Sequence, residues 1–268
     1  MPSIYLSPST QEYNTTVLGN SEEYYMNLIA DAMEPYLAAS GIRFGRNDPA
    51  MTALDSARQA NEGGYDFYLA LHSNAAPDPY AGTVRGAEIY YYPGSREGQR
   101  AATIFANNYK EIYPLPDRIK ILPLGTFIEL NKTNMPAILF ELAYHDNLLD
   151  ASWLSRNINE IARNLAISVA DYFGVEFVDV RYFGQAVIST DGGAVNVREK
   201  PDINSPIVAA LPDGTVVKVY ERVNDCRSSI AITSSPKNTK MTLEKYNSII
   251  INIRLKIKTF FIFWANSA

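Results

Sequence analysis

The sequence contains few of the residues from which proteins build disulfides and metal sites. One cysteine, Cys226, occurs in 268 residues, which excludes an internal disulfide and a zinc site made of several cysteines. The only histidines are His72 and His145. A metal site rich in histidine is therefore excluded as well.

Excess positive charge and long apolar runs are also missing. The net charge of −5 argues against a nucleic-acid-binding protein, which needs a basic face to meet phosphates. No apolar run is long enough to cross a bilayer. The first residues do not show a basic start followed by an apolar stretch, so we expect synthesis in the cytoplasm without a signal peptide.

The charge is unevenly distributed along the chain. From residue 226 onward there are seven Lys or Arg and one acid, so this segment carries +6 and residues 1–225 carry −11. The length suffices for one well-buried domain and a small second one. The late charge reversal marks a boundary in the chain.

Strand-like and helix-like patterns alternate over residues 1–175, which we assign to one domain. This alternation is typical of an α/β architecture, and we expect a mixed, mostly parallel sheet flanked by helices. Strands are predicted over 4–6, 67–71, 88–92 and 137–140, and helices over 23–40, 99–112 and 151–173.

Two polar residues directly follow predicted buried strands. His72 comes after 67–71 and Glu141 after 137–140, at the strand ends where open α/β sheets bind ligands. With Glu23 near a helix start, they supply one imidazole and two carboxylates, a set that suits a catalytic zinc site. On spacing alone, a structural histidine and a salt-bridging glutamate are the commoner interpretations.

Three ordered segments, 23–28, 71–75 and 135–142, resemble the zinc-dependent N-acetylmuramoyl-L-alanine amidases, which are cell-wall hydrolases of bacteria and phage lysins. The resemblance covers most of residues 1–175 and implies that Glu23 and His72 bind zinc. It also implies that Glu141 is the catalytic base. Arg46 stands where the family tends to place an arginine, and Arg46 and Asn74 are candidate substrate-binding residues.

The resemblance further implies the reaction. A zinc-activated water would hydrolyse the amide between N-acetylmuramic acid and L-alanine in peptidoglycan, because zinc lowers the pKa of bound water from 15.7 to about 7. Glu141 would take the proton of the water and return it to the leaving amine. The expected partner is peptidoglycan, and the expected place of action is the cell wall.

One position departs from the family pattern. The family's first zinc ligand is normally a histidine after the first strand, but residues 7–14 contain none. Gln11 is our candidate replacement and Glu12 an alternative; otherwise the metal is weakly held and the domain partly disabled. We interpret His145 as a loop residue near the site.

Residues 183–225, after a linker at 176–182, change to short β-rich runs separated by turns. The N-V-R-x-x-P stretch and the following G-T-x-V-x-V resemble the front half of a bacterial SH3-like domain. Such domains bind peptidoglycan; the alternative is a small β domain without a ligand. We therefore expect an incomplete SH3-like domain.

The last segment, 226–268, does not continue this pattern. It is basic and rich in Ile, Asn and Lys, and we interpret it as the product of a frameshift. The alternative is a membrane-associating tail, because basic and aromatic residues are interleaved.

Three functions follow from these observations. The first is a zinc-dependent peptidoglycan amidase, in a phage lysin or a bacterial wall enzyme. The second is a peptidoglycan-binding protein whose amidase site is impaired. The third is a zinc peptidase of another specificity.

Overall fold

The computed structural model of the chain describes residues 1–188, 194–198, 206–222 and 230–233. The chain divides into two compact units, of which the first comprises residues 1–177 and the second begins at Val178. Among the described residues, no helix is long and apolar enough to span a membrane.

The first unit alternates strands with helices along the chain. In order, its elements are β1 (Ser3–Pro8), α1 (Glu22–Ala39), β2 (Arg43–Arg46), α2 (Ala53–Gly63), β3 (Phe67–Asn74), β4 (Ala87–Tyr91), α3 (Arg96–Tyr109), β5 (Ile119–Pro123), α4 (Ile128–Asn131), β6 (Ala137–Tyr144), α5 (Leu148–Arg156) and α6 (Ile158–Phe173).

The strands form one sheet in the order β2-β1-β3-β6-β4-β5. Strands β2, β1, β3 and β6 are parallel, β4 runs antiparallel to β6, and β5 is parallel to β4. The predicted fold class, a mixed and mostly parallel sheet flanked by helices, is confirmed. The carboxyl ends of β1, β3 and β6 and the starts of β4 and β5 therefore meet at one edge.

Both faces of this sheet are covered by apolar side chains. On one face, Ala60 of α2 and Leu130 of α4 pack with Tyr68 and Leu139. On the other, the Phe67 ring lies against aromatic rings of α3 and α6. The strands are thus buried on both sides, which is why they read as continuous apolar runs.

Helix α1 begins at Glu22, one residue earlier than the pattern predicts. Ser21 is its N-cap and accepts a hydrogen bond from the backbone N–H of Tyr24, and Glu22 and Glu23 in the first turn favour the positive end of the helix dipole. The cap fixes which glutamate turns toward the sheet: Glu22 is buried, and Glu23 is partly exposed.

The single long helix predicted over 151–173 is wrong, because the structure has two helices separated at Asn157. The Asn157 side chain donates a hydrogen bond to the Trp153 carbonyl over 2.7 Å, and its backbone leaves the helical region at φ −117°. An asparagine side chain that binds nearby backbone groups competes with the helix.

The second unit consists of short antiparallel strands, as expected of a small SH3-like β domain. Strands β7 (Val180–Val187), β10 (Val216–Arg222) and β11 (Ile230–Thr233) form one sheet, and β8 (Ala194–Arg198) pairs with β9 (Ile207–Pro212). Strand β7 begins within the predicted linker.

Strand β11 lies within the predicted tail and pairs antiparallel with β10. The other residues of 226–268 lie outside the described part of the chain. The frameshift and the membrane-associating tail therefore stay predictions.

A buried aspartate connects this edge of the sheet to the helices. Asp150 of α5 is fully buried; it accepts hydrogen bonds from the Arg85 Nε at 2.8 Å, the Gly86 N–H at 3.1 Å, the Tyr113 hydroxyl at 2.8 Å and the Tyr144 N–H at 3.2 Å. One carboxylate thus fixes the end of β6 and the start of β4.

We predict that Asp150→Asn lowers the free energy of unfolding by about 3 kcal/mol, because the Arg85 charge is left without its partner and an amide N–H replaces an acceptor. Urea unfolding followed by circular dichroism measures this loss. The matched variant Asp117→Asn, at an exposed aspartate, should leave the midpoint unchanged. Equal effects of the two substitutions would contradict the role of Asp150.

Candidate functional site

Four side chains form a row across the edge of the sheet. His72 of β3 pairs with Glu141 of β6, Glu141 pairs with Glu88 of β4, and Glu88 pairs with Lys120 of β5. Directly paired residues of neighbouring strands project to the same face. We call His72, Glu141, Glu88 and Lys120 the edge row.

His72 is held between two carboxylates. Its Nδ1 lies 2.9 Å from Glu22 Oε1 and its Nε2 lies 2.9 Å from Glu129 Oε2. All three side chains are buried. Burial lowers the pKa of His72, but Glu129 and Glu22 more than offset this effect, and the net direction is well above the ordinary value.

Glu22 is fixed by the loop that precedes α1. Its Oε2 accepts a hydrogen bond from Asn14 Nδ2 at 3.1 Å, and its Oε1 accepts one from the Ser73 N–H at 3.3 Å. Burial raises the pKa of Glu22, yet the hydrogen bond and charge of His72 bring it below the ordinary value. The carboxylate therefore stays charged beside His72.

Glu129 is fixed from the opposite side. Its Oε1 accepts hydrogen bonds from the Ser7 hydroxyl at 2.6 Å and the Tyr68 hydroxyl at 2.9 Å. Burial raises its pKa, but His72 and these hydroxyls lower it below the ordinary value. Like Glu22, Glu129 is a buried anion that depends on His72.

Glu141 differs from the rest of the edge row in its hydrogen bonding and in its pKa. Its Oε2 is buried and has no hydrogen-bond partner among the described residues. Burial raises the pKa of Glu141 to about 8; His72 opposes the shift, while Glu22, Glu88 and Glu129 add to it. A carboxyl group of this kind can hold or release a proton near neutral pH.

Glu88 and Lys120 complete the row. Glu88 accepts hydrogen bonds from Asn74 Nδ2 at 3.1 Å and from the Tyr90 hydroxyl, and Lys120 Nζ lies 3.0 Å from its other oxygen. The candidate substrate residue Asn74 thus lies at the site, anchored to Glu88.

The structure brings His72 and Glu141 together as predicted neighbours, but it places Glu22 rather than Glu23 against His72. Glu23 lies toward Glu12: partial burial and the Glu12 charge raise its pKa. The one-residue offset arises because the Ser21 cap sets the rotation of α1.

The remaining sequence candidates have other partners. Arg46 binds Asp31, Glu34 and Asn27 of α1, so its guanidinium is engaged on the helix. Gln11 Oε1 accepts a hydrogen bond from Asn14 Nδ2 at 2.6 Å, which links it to Glu22 through Asn14. The proposed roles of Glu23, Gln11 and Arg46 stay predictions.

His145 forms a loop contact. Its Nδ1 donates a hydrogen bond to the Ser73 carbonyl at 2.8 Å, and its own carbonyl accepts one from Val17. This arrangement agrees with the interpretation of His145 as a loop residue near the site.

Sequence reasoning missed Glu22, Glu88 and Glu129 as members of the site. A signal was present for Glu129, since it is an acid between the apolar residues Ile128 and Leu130. Glu88 opens an aromatic-rich strand, but only the antiparallel pairing of β4 with β6 brings it beside Glu141.

Comparison with known proteins identifies the family. The sequence model of N-acetylmuramoyl-L-alanine amidases matches residues 9–171, which is more than half of the chain. The chain belongs to the N-acetylmuramoyl-L-alanine amidase family. A second model, that of the bacterial SH3 domain, matches residues 193–225, within the predicted SH3-like segment.

Two curated relatives share the amidase part. Over 132 residues the chain is 30% identical to an endolysin of Bacillus phage SPP1, covering 46% of each protein. It is 33% identical over 132 residues to the N-acetylmuramoyl-L-alanine amidase CwlM of Bacillus licheniformis, covering 48% of this chain and 49% of the relative. The chain spans about half the length of the curated relatives it matches.

The fold of the amidase unit is found in solved structures. AmiC2, an N-acetylmuramoyl-L-alanine amidase of Nostoc punctiforme, aligns with a TM-score of 0.56 and 19% identity over 65% of this chain and 97% of its own. This likeness establishes the fold.

Whether these residues fit zinc depends on their donor atoms and their charge. His72 and Glu22 supply an imidazole nitrogen and a carboxylate side by side, both of which zinc accepts. The unpartnered oxygen of Glu141 and the excess of buried carboxylates around one histidine also favour a cation. Donor type and charge therefore fit.

The arrangement is incomplete in one respect. Within the described residues, no three His, Cys, Asp or Glu side chains converge as a metal site requires. The reason is visible at His72, because Glu22 and Glu129 lie on opposite ring nitrogens. His72 and Glu22 could supply two ligands, and further donors would have to come from elsewhere.

We predict that Glu141→Gln changes how the stability of the metal-free protein depends on pH. The fold raises the pKa of Glu141 from an ordinary 4.5 to about 8, so the folded state binds this proton more tightly than the unfolded state does. The resulting contribution to the free energy of unfolding is fully present below about pH 4.5 and is lost as the pH rises toward 8. The advantage of Glu141→Gln over wild type should therefore grow across this window.

Urea unfolding in the presence of a chelator, repeated across the window, measures this difference. The control Glu62→Gln changes an exposed glutamate and should show no such growth. A Glu141→Gln advantage that is constant or shrinks with rising pH would mean that the fold does not raise the pKa of Glu141.

Proposed function

We propose that this protein hydrolyses the amide bond between N-acetylmuramic acid and L-alanine in peptidoglycan, with zinc as its cofactor. The observation that carries the proposal is the pairing of His72 with Glu141, whose buried Oε2 lacks a partner. Membership of the amidase family supports the choice of reaction and substrate.

Each residue of the site has a role in the proposed reaction that follows from its position. His72 and Glu22 would hold zinc, which supplies the positive charge that polarises the scissile carbonyl. Glu141 accepts a proton from the attacking water at Oε2 and returns it to the leaving amine. A carbon–oxygen bond forms, the amide carbon–nitrogen bond breaks, and the water proton ends on the amino group of L-alanine.

Neighbouring residues influence the pKa of Glu141 and therefore this proton transfer. Without a metal, burial and the charges of Glu22 and Glu88 raise its pKa to about 8. A cation beside Glu141 would lower this pKa, so that the carboxylate would be ionised and able to accept a proton near neutral pH. Glu88 is in turn fixed by Asn74 and Lys120. We propose that Asn74 also contacts substrate at the mouth of the site.

The second unit suggests where the enzyme acts. Its match to the bacterial SH3 domain supports binding to peptidoglycan, which would keep the amidase unit on an insoluble substrate. We propose that the protein acts at the cell wall, in a phage lysin or a bacterial wall enzyme.

Digestion of purified peptidoglycan tests the reaction. Zinc-loaded wild type should release stem peptides with new L-alanine amino termini and leave free lactyl carboxylates on the muramic acid, as seen by mass spectrometry. Glu141→Gln should lower this rate about 10²–10⁴-fold while still binding zinc, and Glu62→Gln should match wild type. Cleavage within the peptide would indicate a zinc peptidase instead, and wall binding without cleavage would indicate an impaired site.

We predict that adjacent glutamates of α1 differ in their effect on zinc. Glu22→Gln should lower zinc affinity by more than the 10–100-fold that an outer-shell partner costs, since Glu22 contacts His72 Nδ1. Glu23→Gln serves as the matched control and should bind zinc as wild type does. Titration against a chromogenic chelator measures both, and a larger loss for Glu23→Gln would restore the sequence-based assignment.

A further inference from the structure

A buried acid on α4 is not used by the proposed reaction. Glu129 belongs to a four-residue helix, Ile128–Asn131, and is 5% exposed. Its neighbour Leu130 is part of the apolar cluster that contains Tyr5 and Tyr68. An ionised carboxylate is costly in such surroundings unless each oxygen is bound.

Both oxygens of Glu129 have partners. Oε1 accepts hydrogen bonds from Ser7 and Tyr68, and Oε2 lies 2.9 Å from His72 Nε2. Because two hydroxyls fix one oxygen, the other has a defined position. Glu129 therefore holds the imidazole ring at a set angle.

The two sides of the imidazole differ. On the Nε2 side lies Glu129, whose partner Tyr68 belongs to the apolar cluster. On the Nδ1 side lies Glu22, whose partners are Asn14 of the loop before α1 and the Ser73 N–H. The carboxylate at Nε2 is thus anchored beside the apolar cluster, and the one at Nδ1 is bound by loop and backbone groups.

We propose that Glu129 is a positioning residue: it accepts the Nε2–H of His72 and so directs Nδ1, together with Glu22, toward the metal. This inference rests on the proposed function. An imidazole that donates its far N–H to a carboxylate is fixed in tautomer and orientation and becomes a more basic ligand. Fixing the orientation of His72 is important because His72 is the only imidazole among these four carboxylates.

Histidine nitrogen NMR on zinc-loaded, nitrogen-15-labelled protein identifies the ligating atom. In wild type, Nδ1 of His72 should carry the signature of metal coordination, and Nε2 should carry a proton that exchanges slowly with water. In Glu129→Ala the Nε2 proton should exchange rapidly. Coordination through Nε2 in wild type would overturn the inference.

Zinc affinity gives a second, independent measure. Glu129→Gln should keep Nδ1 as the ligating atom, because its amide oxygen can still accept the Nε2–H, but should bind zinc about 10–100-fold more weakly. The matched variant Tyr68→Phe removes the Tyr68 hydrogen bond to Oε1 and leaves Oε2 in contact with His72, so its loss should be clearly smaller. Circular dichroism verifies that each variant is folded, and Glu129→Gln decides the question if Glu129→Ala is not.

The outcomes separate this inference from the proposed function. If wild type binds no zinc, both fail. If wild type binds zinc and cleaves peptidoglycan but Glu129→Gln binds zinc equally well, the positioning role alone is wrong.

Discussion

The interaction on which the site depends is the contact of one imidazole with two buried carboxylates. His72 lies 2.9 Å from both Glu22 and Glu129, and Glu141 and Glu88 lie beside it in the edge row. Four carboxylates around one histidine, of which Glu22, Glu88 and Glu129 are buried and Glu141 is partly buried, are unfavourable without further positive charge. The proposed zinc would relieve this excess, and the stability of the edge and its chemistry would then have the same origin.

The fold supplies each of these groups from a different element. Parallel pairing of β3 with β6 places His72 beside Glu141, and antiparallel pairing of β6 with β4 adds Glu88. The capped start of α1 contributes Glu22, and α4, which packs on the face of the sheet that carries Tyr68 and Leu139, contributes Glu129. Asp150 holds the strand ends in place. Helices and strands thus bring all of the groups to one edge of the sheet. The Oε2 of Glu141, which has no hydrogen-bond partner among the described residues, can exchange a proton there.

Much of this could be predicted from the sequence. Alternating patterns predict the α/β class, and strand-end placement finds His72 and Glu141. The choice between Glu22 and Glu23 could not be made, because it depends on which residue caps α1. Glu88 depends on the direction of β4, and Glu129 depends on the packing of α4 against β1 and β3; neither appears in local periodicity. The break at Asn157 reflects a side-chain hydrogen bond that competes with the helix.

The central proposal is that zinc binds on the Nδ1 side of His72. Anomalous diffraction at the zinc edge from crystals soaked in zinc tests it most directly. The account predicts one strong peak about 2.0–2.1 Å from His72 Nδ1, with a Glu22 oxygen as a second ligand and Glu141 facing the ion. A peak between Nε2 and Glu129, or a peak at Glu23 away from His72, would contradict it.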